Sequence, residues 1–96
     1  MATYISLLNY TDQGIRNVKD TTKRAVKVAE MAKPLGVTVK FYWTLGSYDL
    51  VAIFEAPDDA AMATVGVNVG AAGNVRTQTL RAFTPDEMDG ILSKLN

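Results

Sequence analysis

A glycine turn between two strand-like runs is the feature that most limits how this chain can fold. Residues 37–43 alternate apolar with polar or amphipathic side chains, as in a strand with one buried face. Residues 49–55 are almost continuously apolar, as in a strand covered on both faces. Between them, Gly46 can adopt the positive φ that a tight connection usually requires. The stretch predicts a β-hairpin whose tip carries Tyr48 and Asp49.

The residues before the hairpin predict one strand and one helical region. Residues 3–10 are rich in β-forming side chains and predict the first strand. After the two N-cap candidates, Thr11 and Asp12, apolar residues recur at helical spacing between positions 15 and 32. A second capping signal at residues 20–22 indicates a break in this helix, and Pro34 marks its end.

The residues after the hairpin predict a helix, a strand and a final helix. Pro57-Asp58 starts the first of these helices, which ends near Gly70 or Gly73, and residues 74–83 alternate as a strand. The motif at residues 84–87, Thr-Pro-Asp-Glu, combines an N-cap, a proline at the first helical position and a capping-box glutamate. We expect this last helix to extend to about residue 95.

The resulting order, β-α-β-β-α-β with an extra C-terminal helix, predicts an α+β fold of the ferredoxin-like type with a four-stranded antiparallel sheet. A chain of 96 residues forms one domain, residues 1–96. Two helices on one face leave the other face of the sheet uncovered, and so small a domain must bury that face. We therefore expect a homodimer or a higher oligomer.

The predicted second helix has an unusual composition, because residues 60–75 contain no charged side chain. Met62, Val65 and Val69 would face the core, and a stripe of small or apolar residues would form the outer side: Ala60, Thr64, Val67 and Ala71. A helix that is apolar all round is buried on both sides, so we expect a second subunit to cover the stripe. The alternation of β-branched valines within the segment also fits a strand.

Composition excludes several kinds of chemistry. The chain has 10 basic and 10 acidic residues, no cysteine and no histidine. It therefore lacks disulfides, thiolate nucleophiles, the commonest metal ligand and the usual general base. The zero net charge argues against nucleic acid or acidic membranes as partners. With no signal peptide and no membrane-spanning apolar stretch, we expect a cytoplasmic protein without a metal or cofactor.

Several short stretches, in the same order along nearly the whole chain, resemble the GYD-domain family of the dimeric α+β barrel superfamily. They are Leu7-Leu8-Asn9-Tyr10-Thr11-Asp12-Gln13-Gly14, Lys19-Asp20 with Lys23-Arg24, Leu45-Gly46-Ser47-Tyr48-Asp49, Gly73-Asn74-Val75-Arg76-Thr77 and Thr79-Leu80-Arg81-Ala82-Phe83. Ser47 is inserted in the name-giving Gly-Tyr-Asp pattern, and Thr22 stands where the resemblance leads us to expect proline. The resemblance implies a ferredoxin-like fold and self-association, and it brings no established reaction.

Three polar side chains near the hairpin are candidate ligand-binding residues. Tyr48 and Asp49 would form a hydrogen-bonding pair at a cavity mouth, able to bind a ligand or transfer a proton. In the structural alternative, Asp49 accepts backbone hydrogen bonds of the turn and Tyr48 packs on the sheet. Arg24 would anchor an anionic group with its planar guanidinium. Its alternative is an ion pair with Asp49 or Asp20.

Aromatic residues on the first two strands add Trp43 and Tyr10 to the candidate ligand-binding set. Together with Tyr4, Phe41 and Tyr42 they would line an apolar ligand pocket with a few polar groups. The alternative is the packed seam of a dimer. Base stacking on RNA is a third interpretation, and the absence of a basic stripe argues against it.

Two other motifs are explained by local structure. The glycine-rich residues 66–73 follow a helix, whereas phosphate-binding glycines precede one, so they are no nucleotide loop. The acidic pairs at residues 58–59 and 86–87 lie in first helical turns, where negative charge is favourable without a metal.

Three functions remain open from the sequence. The first is an oligomeric protein that binds a small apolar or anionic molecule in a cavity near the Gly46–Asp49 hairpin. The second is a cofactor-independent enzyme of the oxygenase or isomerase type, an analogy that rests on the superfamily alone. The third is a structural or adaptor subunit without a small ligand. Turnover of a ligand would indicate the enzyme, retention of an unchanged ligand the binding protein, and absence of any ligand the structural or adaptor subunit.

Overall fold

The computed structural model describes residues 1–96 and shows the predicted order of elements. The strands are β1 (Ala2–Tyr10), β2 (Thr38–Trp43), β3 (Leu50–Ala56) and β4 (Val75–Ala82), and the α-helices are α1 (Asp12–Arg16), α2 (Thr21–Ala32), α3 (Asp59–Ala71) and α4 (Pro85–Leu92). The strands form one sheet in the order β2-β3-β1-β4, with every neighbouring pair antiparallel. This confirms the predicted α+β, ferredoxin-like architecture.

The first helical region is divided at the predicted position. Thr11 caps α1 by accepting a hydrogen bond from the backbone N–H of Gly14 at 3.1 Å. A 3-10 turn, Val18–Asp20, then connects α1 to α2. A second 3-10 turn follows α2, and Gly36 ends it with a left-handed φ of 75°. The divided helix matters for the site described below, because α1 and α2 approach the sheet separately.

The central hairpin forms as predicted, and Asp49 ties it to β1. Gly46 has a φ of 106°, a conformation that strongly favours glycine. The backbone N–H of Asp49 donates to the carbonyl of Leu8, and its own carbonyl accepts from Thr44, both at 2.9 Å. The following strand, β3, lies between β2 and β1. This central position explains its almost unbroken apolar sequence, although one face stays uncovered within a single chain.

The last two helices are set by their N-terminal caps. Asp58 accepts from the N–H of Ala61 at the start of α3, so the uncharged segment forms a helix and not a strand. Thr84 and Glu87 form the complete capping box of α4. The expectation that α4 reaches residue 95 is wrong by about a turn, since the α-helix ends at Leu92 and two turn hydrogen bonds follow it.

The helices cover one face of the sheet, called here the helix face. Its buried core comes from alternate residues of β1 and β3, together with side chains of the helices: Tyr4, Leu8, Leu50, Ala52, Phe54, Ala56, Ala32, Met62 and Val65, with Val37 before β2. Phe41 packs edge-on against Phe54, with ring centroids 6.3 Å apart. The prediction that the aromatic residues of β1 and β2 form a dimer seam on the uncovered face is therefore wrong. Strand β3 separates the two strands, and only Tyr42 of the five aromatic residues points away from the helices.

The opposite face of the sheet, called here the open face, has an apolar centre, with the charged Lys40 beside it on β2. The register pairs Ile5 with Ile53 and with Leu80, all on this side. Ile53 is 36% exposed, Leu80 43% and Tyr42 53%. The aliphatic and aromatic surface predicted to need a cover therefore exists, with different residues from those expected. Self-association itself stays a prediction.

Helix α4 extends the molecule away from the sheet. The chain measures 52 × 32 × 17 Å and has a radius of gyration of 14.6 Å, compared with about 12.5 Å expected for a compact domain of this length. The apolar side of this C-terminal segment is largely uncovered: Met88, Ile91, Leu92 and Leu95 are all at least 41% exposed. None of the helices has the length and apolarity that crossing a membrane requires.

Candidate functional site

A row of small side chains crosses the middle of the helix face. The strand register aligns Ala52 with Ser6 and Ser6 with Thr79, and it places Phe41 beside Ala52 at the β2 end of the row. Rows of larger side chains flank it on both sides: Trp43, Leu50 and Leu8 on one, and Val39, Phe54 and Tyr4 on the other. The sheet therefore has a trough across its strands, and we refer to this feature as the trough.

Helices α2 and α3 roof the trough without filling it. The partly open cavity between the helices and the sheet has a volume of about 480 Å³, within the range of small-molecule sites. Gly66 of α3 lines this cavity, and a Cβ atom built on it would meet no heavy atom within 4 Å. Glycine in a helix interior costs about 0.5–1 kcal/mol relative to alanine. Packing therefore does not require Gly66, and its missing side chain leaves the cavity open.

Polar groups concentrate where β1 and the start of α2 meet. The hydroxyls of Tyr10 and Thr21 are 2.9 Å apart, and both residues line the cavity. The indole N–H of Trp43 donates to the same Thr21 oxygen at 3.1 Å. Thr21 thus connects two predicted ligand-binding residues at one end of the cavity. Trp43 itself does not line the cavity, and it contacts the lining through this hydrogen bond to Thr21.

Arg24 lies at the same end of the cavity, and its guanidinium is held by backbone carbonyls. It donates to Asn17 at 2.7 Å and to Gly14 at 3.3 Å. The alternative of an ion pair with Asp49 or Asp20 is wrong, because the only ion pair in the chain joins Arg81 to Glu87.

The cavity lining has an uneven charge. Thirteen of its 22 residues are hydrophobic, two are cationic, Arg24 and Lys27, and none is acidic. The cavity is thus an apolar space with positive charge, backed by hydroxyls.

The Gly-Ser-Tyr-Asp stretch lies beside the cavity and outside its lining. The carboxylate of Asp49 accepts the backbone N–H of Tyr10 at 2.9 Å, which fixes the end of β1. The Tyr48 hydroxyl lies 3.3 Å from Gln78, whose neighbour across the strands is Leu7 on the open face. The structure thus brings Tyr10, Trp43 and Arg24 together, and it places Tyr48 across the sheet from them. Ligand binding by any of the five stays a prediction.

Sequence reasoning missed Ser6, Thr79 and Gly66. Ser6 is buried, and its hydroxyl is 2.8 Å from that of Thr79. A polar side chain at position 6, within an otherwise apolar alternation, was a signal that something other than close packing lies above it. Gly66 was visible only as part of a glycine-rich segment.

A smaller recess of about 330 Å³ adjoins the trough near the edge strand β4. There the Tyr4 hydroxyl donates to the carboxylate of Asp59. This hydrogen bond, with burial next, raises the pKa of Tyr4 above its ordinary value of 10.0. The Arg81 guanidinium lies 5.6 Å from the centre of the Tyr4 ring. The arrangement holds α3 against the sheet, because it joins the first turn of α3 to β1 and β4.

The model of a family described as "GYD domain" matches residues 4–92, which includes nearly all of the strands and helices. The chain belongs to the GYD-domain family. The resemblance drawn from the short stretches is thereby confirmed. No solved structure gives a significant match to this GYD-domain chain.

A relative from the bacterium Thermus thermophilus carries the name "Glutamine synthetase and cystathionine beta-lyase binding protein". It is 36% identical over 85 residues, and the match covers 86% of this chain and 90% of the relative. The two proteins are therefore similar over most of both chains. The name of the relative describes binding to two enzymes.

Proposed function

We propose that this GYD-domain protein is a binding protein that associates with metabolic enzymes, with glutamine synthetase and cystathionine β-lyase as the first candidates. The observation that carries the proposal is the relationship to the Thermus protein over nearly all of both chains. Because the match covers 90% of the relative, nearly all of the relative's surface has a counterpart in this chain.

The exposed apolar surfaces of the single chain support a role in protein association. Three separate surfaces carry large apolar side chains: the open face with Ile53 and Leu80, the outer side of α3 with Val67, and the C-terminal segment with Ile91. Val67 is 72% exposed and has no charged residue near it in the helix sequence. Apolar side chains that adjoin one another on a free surface, as Ile53 and Leu80 do on either side of Ile5, are typical of interaction sites.

We assign the open face to self-association and the other two surfaces to further contacts. A four-stranded sheet with one uncovered apolar face is most simply covered by the same face of a second copy, since an isologous contact uses each residue twice. We expect the parent protein to sediment as a dimer or larger in analytical ultracentrifugation, and Ile53→Glu, at the centre of that face, to give a monomer of about 10.4 kDa. Leu45→Glu, at the fully exposed hairpin tip, is the matched control and should leave the assembly unchanged.

Biolayer interferometry tests enzyme binding directly. Glutamine synthetase and cystathionine β-lyase are immobilised separately, and the GYD-domain protein is titrated over each, with serum albumin as the control surface. We expect saturable binding to at least one enzyme and none to albumin. Val67→Glu and Ile91→Glu, measured beside Leu45→Glu, then show which surface makes the contact. Saturable binding to neither enzyme would overturn the assignment of these partners.

A second function is favoured by one specific observation, the cavity above the trough. We propose that it holds a small molecule, which makes the protein a ligand-responsive binder. The support is the unfilled volume of about 480 Å³ beneath Gly66, where a larger side chain would fit. The cofactor-independent enzyme suggested by the superfamily stays a prediction, and a search for turnover begins with whatever ligand the cavity takes.

A further inference from the structure

We propose that the trough cavity binds an amphipathic anion, a small molecule with an apolar body and one carboxylate or equivalent group. This inference rests on the proposed small-molecule binding and is independent of enzyme binding. It adds the chemical class of the ligand, the end of the cavity at which the charged group lies, and the residue that keeps the space free.

The apolar part of the site follows from the strand register. Ser6 and Thr79 have short side chains and line the cavity, so the row they belong to leaves space under α2 and α3. Phe41, Phe54 and Met62 form apolar walls around this space. An apolar chain or ring of the ligand would therefore replace the core side chains that this row lacks.

The anionic preference follows from the charged groups at the cavity. Arg24 and Lys27 both lie in its lining, and no carboxylate does. The guanidinium of Arg24 has five N–H donors, of which two bond to the carbonyls of Asn17 and Gly14, so three remain for a ligand. The two backbone bonds hold the side chain in place without neutralising it, since a carbonyl carries no net charge. Such a fixed, unpaired guanidinium suits a carboxylate.

Neutral donors at the same end complete the site for the head group. The Tyr10 and Thr21 hydroxyls share one hydrogen bond, so at least one donor or acceptor of the pair is left for a ligand oxygen. Trp43, the only tryptophan of the chain, lies outside the lining and donates its indole N–H to the Thr21 hydroxyl. A ligand that rearranges Thr21 therefore changes the surroundings of the indole, which makes Trp43 fluorescence a built-in reporter of occupancy.

Three probes with the same eight-carbon chain test the class of ligand: octanoate, 1-octanol and octylammonium. Each is titrated into the whole protein, with Trp43 fluorescence and isothermal titration calorimetry as readouts. We expect octanoate to bind at least about tenfold more tightly than octanol, the scale of a charge-assisted hydrogen bond. Octylammonium should bind most weakly of the three. Arg24→Gln should remove most of the preference for octanoate over octanol.

A pair of glycine variants locates the site. Gly66→Leu places a side chain in the cavity lining and should abolish binding of octanoate. Gly70→Leu, one turn further along α3, is the matched control: a Cβ there also meets nothing within 4 Å, and Gly70 lies outside the lining. Both changes replace a glycine of α3 by a better helix former and neither should destabilise the helix, so a loss of binding in Gly66→Leu alone reports the cavity.

The outcomes separate the ligand class from the cavity proposal. Equal affinities for octanoate and octanol, both lost in Gly66→Leu, would overturn the anionic class and leave small-molecule binding intact. If Arg24→Gln weakens the binding of octanoate and octanol by the same factor, Arg24 has a structural role only and does not bind the anionic group. Binding that Gly66→Leu leaves unchanged, or that Gly70→Leu reduces equally, would overturn the cavity site together with the ligand class.

Discussion

Gly14 is the residue at which a single methyl group should do most damage to this fold. It lies in α1, where the helix approaches the loop between α3 and β4. A Cβ atom at position 14 would lie 1.9 Å from the backbone oxygen of Asn74 and 2.8 Å from its carbonyl carbon. Because these are backbone atoms, a side-chain rotation cannot relieve the overlap. Gly14→Ala must therefore push α1 and the loop apart.

The size of the effect follows from the bonds at that contact. Overpacking of this kind costs about 1–3 kcal/mol. The separation also stretches hydrogen bonds from Thr11 to the carbonyls of Asn74 and Gly73, at 3.0 and 2.6 Å, each worth about 1 kcal/mol. The better helix propensity of alanine returns up to about 1 kcal/mol. We expect a net loss of roughly 2–4 kcal/mol in the free energy of unfolding.

Chemical denaturation followed by circular dichroism measures this loss, with Gly70→Ala as the control. A Cβ at Gly70 meets nothing within 4 Å, so that variant should gain about 0.5–1 kcal/mol. The same Gly14 carbonyl accepts from Arg24, so Gly14→Ala should also weaken octanoate binding. A Gly14→Ala protein as stable as the parent would refute the close approach of α1 to the loop.

Three further predictions concern other parts of the chain. Val67→Glu should lower the oligomeric state or precipitate the protein if a subunit covers α3, and unchanged sedimentation and melting temperature would show that this side faces water. Tyr48→Phe should leave octanoate affinity unchanged, because the Tyr48 hydroxyl lies on the other side of the sheet, and a calorimetric loss of tenfold or more would contradict this placement. The backbone hydrogen bond from Thr84 lowers the pKa of Glu87. The stabilisation of α4 by the Glu87 carboxylate is therefore present above the ordinary carboxyl pKa and is lost as the pH falls through the lowered pKa. Amide exchange at Thr84 should show this acid fraying in the parent and not in Glu87→Gln, and fraying at the same pH in both would argue against the cap.

Local signals in the sequence predicted most of the fold. The hairpin at Gly46, the break before Thr21 and the capping box of α4 each depend on a few neighbouring residues whose backbone preferences are strong. The order of those elements then restricts the sheet to few topologies. The end of α4 was placed too late, because Leu95 continues the apolar pattern after the helix has ended.

The candidate site was harder to predict because it depends on register. The sequence of a single strand does not show which residues of β1, β3 and β4 lie side by side. The row of Ala52, Ser6 and Thr79 could therefore not be recognised from the sequence. Strand β2 alternates with period two, yet both of its faces carry aromatic residues. The pattern alone could not decide that Phe41 faces the helices while Tyr42 faces outward.

Native mass spectrometry of the purified protein mixed with glutamine synthetase, and separately with cystathionine β-lyase, tests the account most directly. One spectrum reports the number of copies in the free assembly, the mass of any complex with the enzyme and any small molecule retained by the 10.4 kDa chain. We predict an oligomer that adds to at least one enzyme in a fixed ratio, and loses that ability when its exposed apolar surface is changed by Val67→Glu or Ile91→Glu. A protein that stays monomeric and adds to neither enzyme would contradict the central claim.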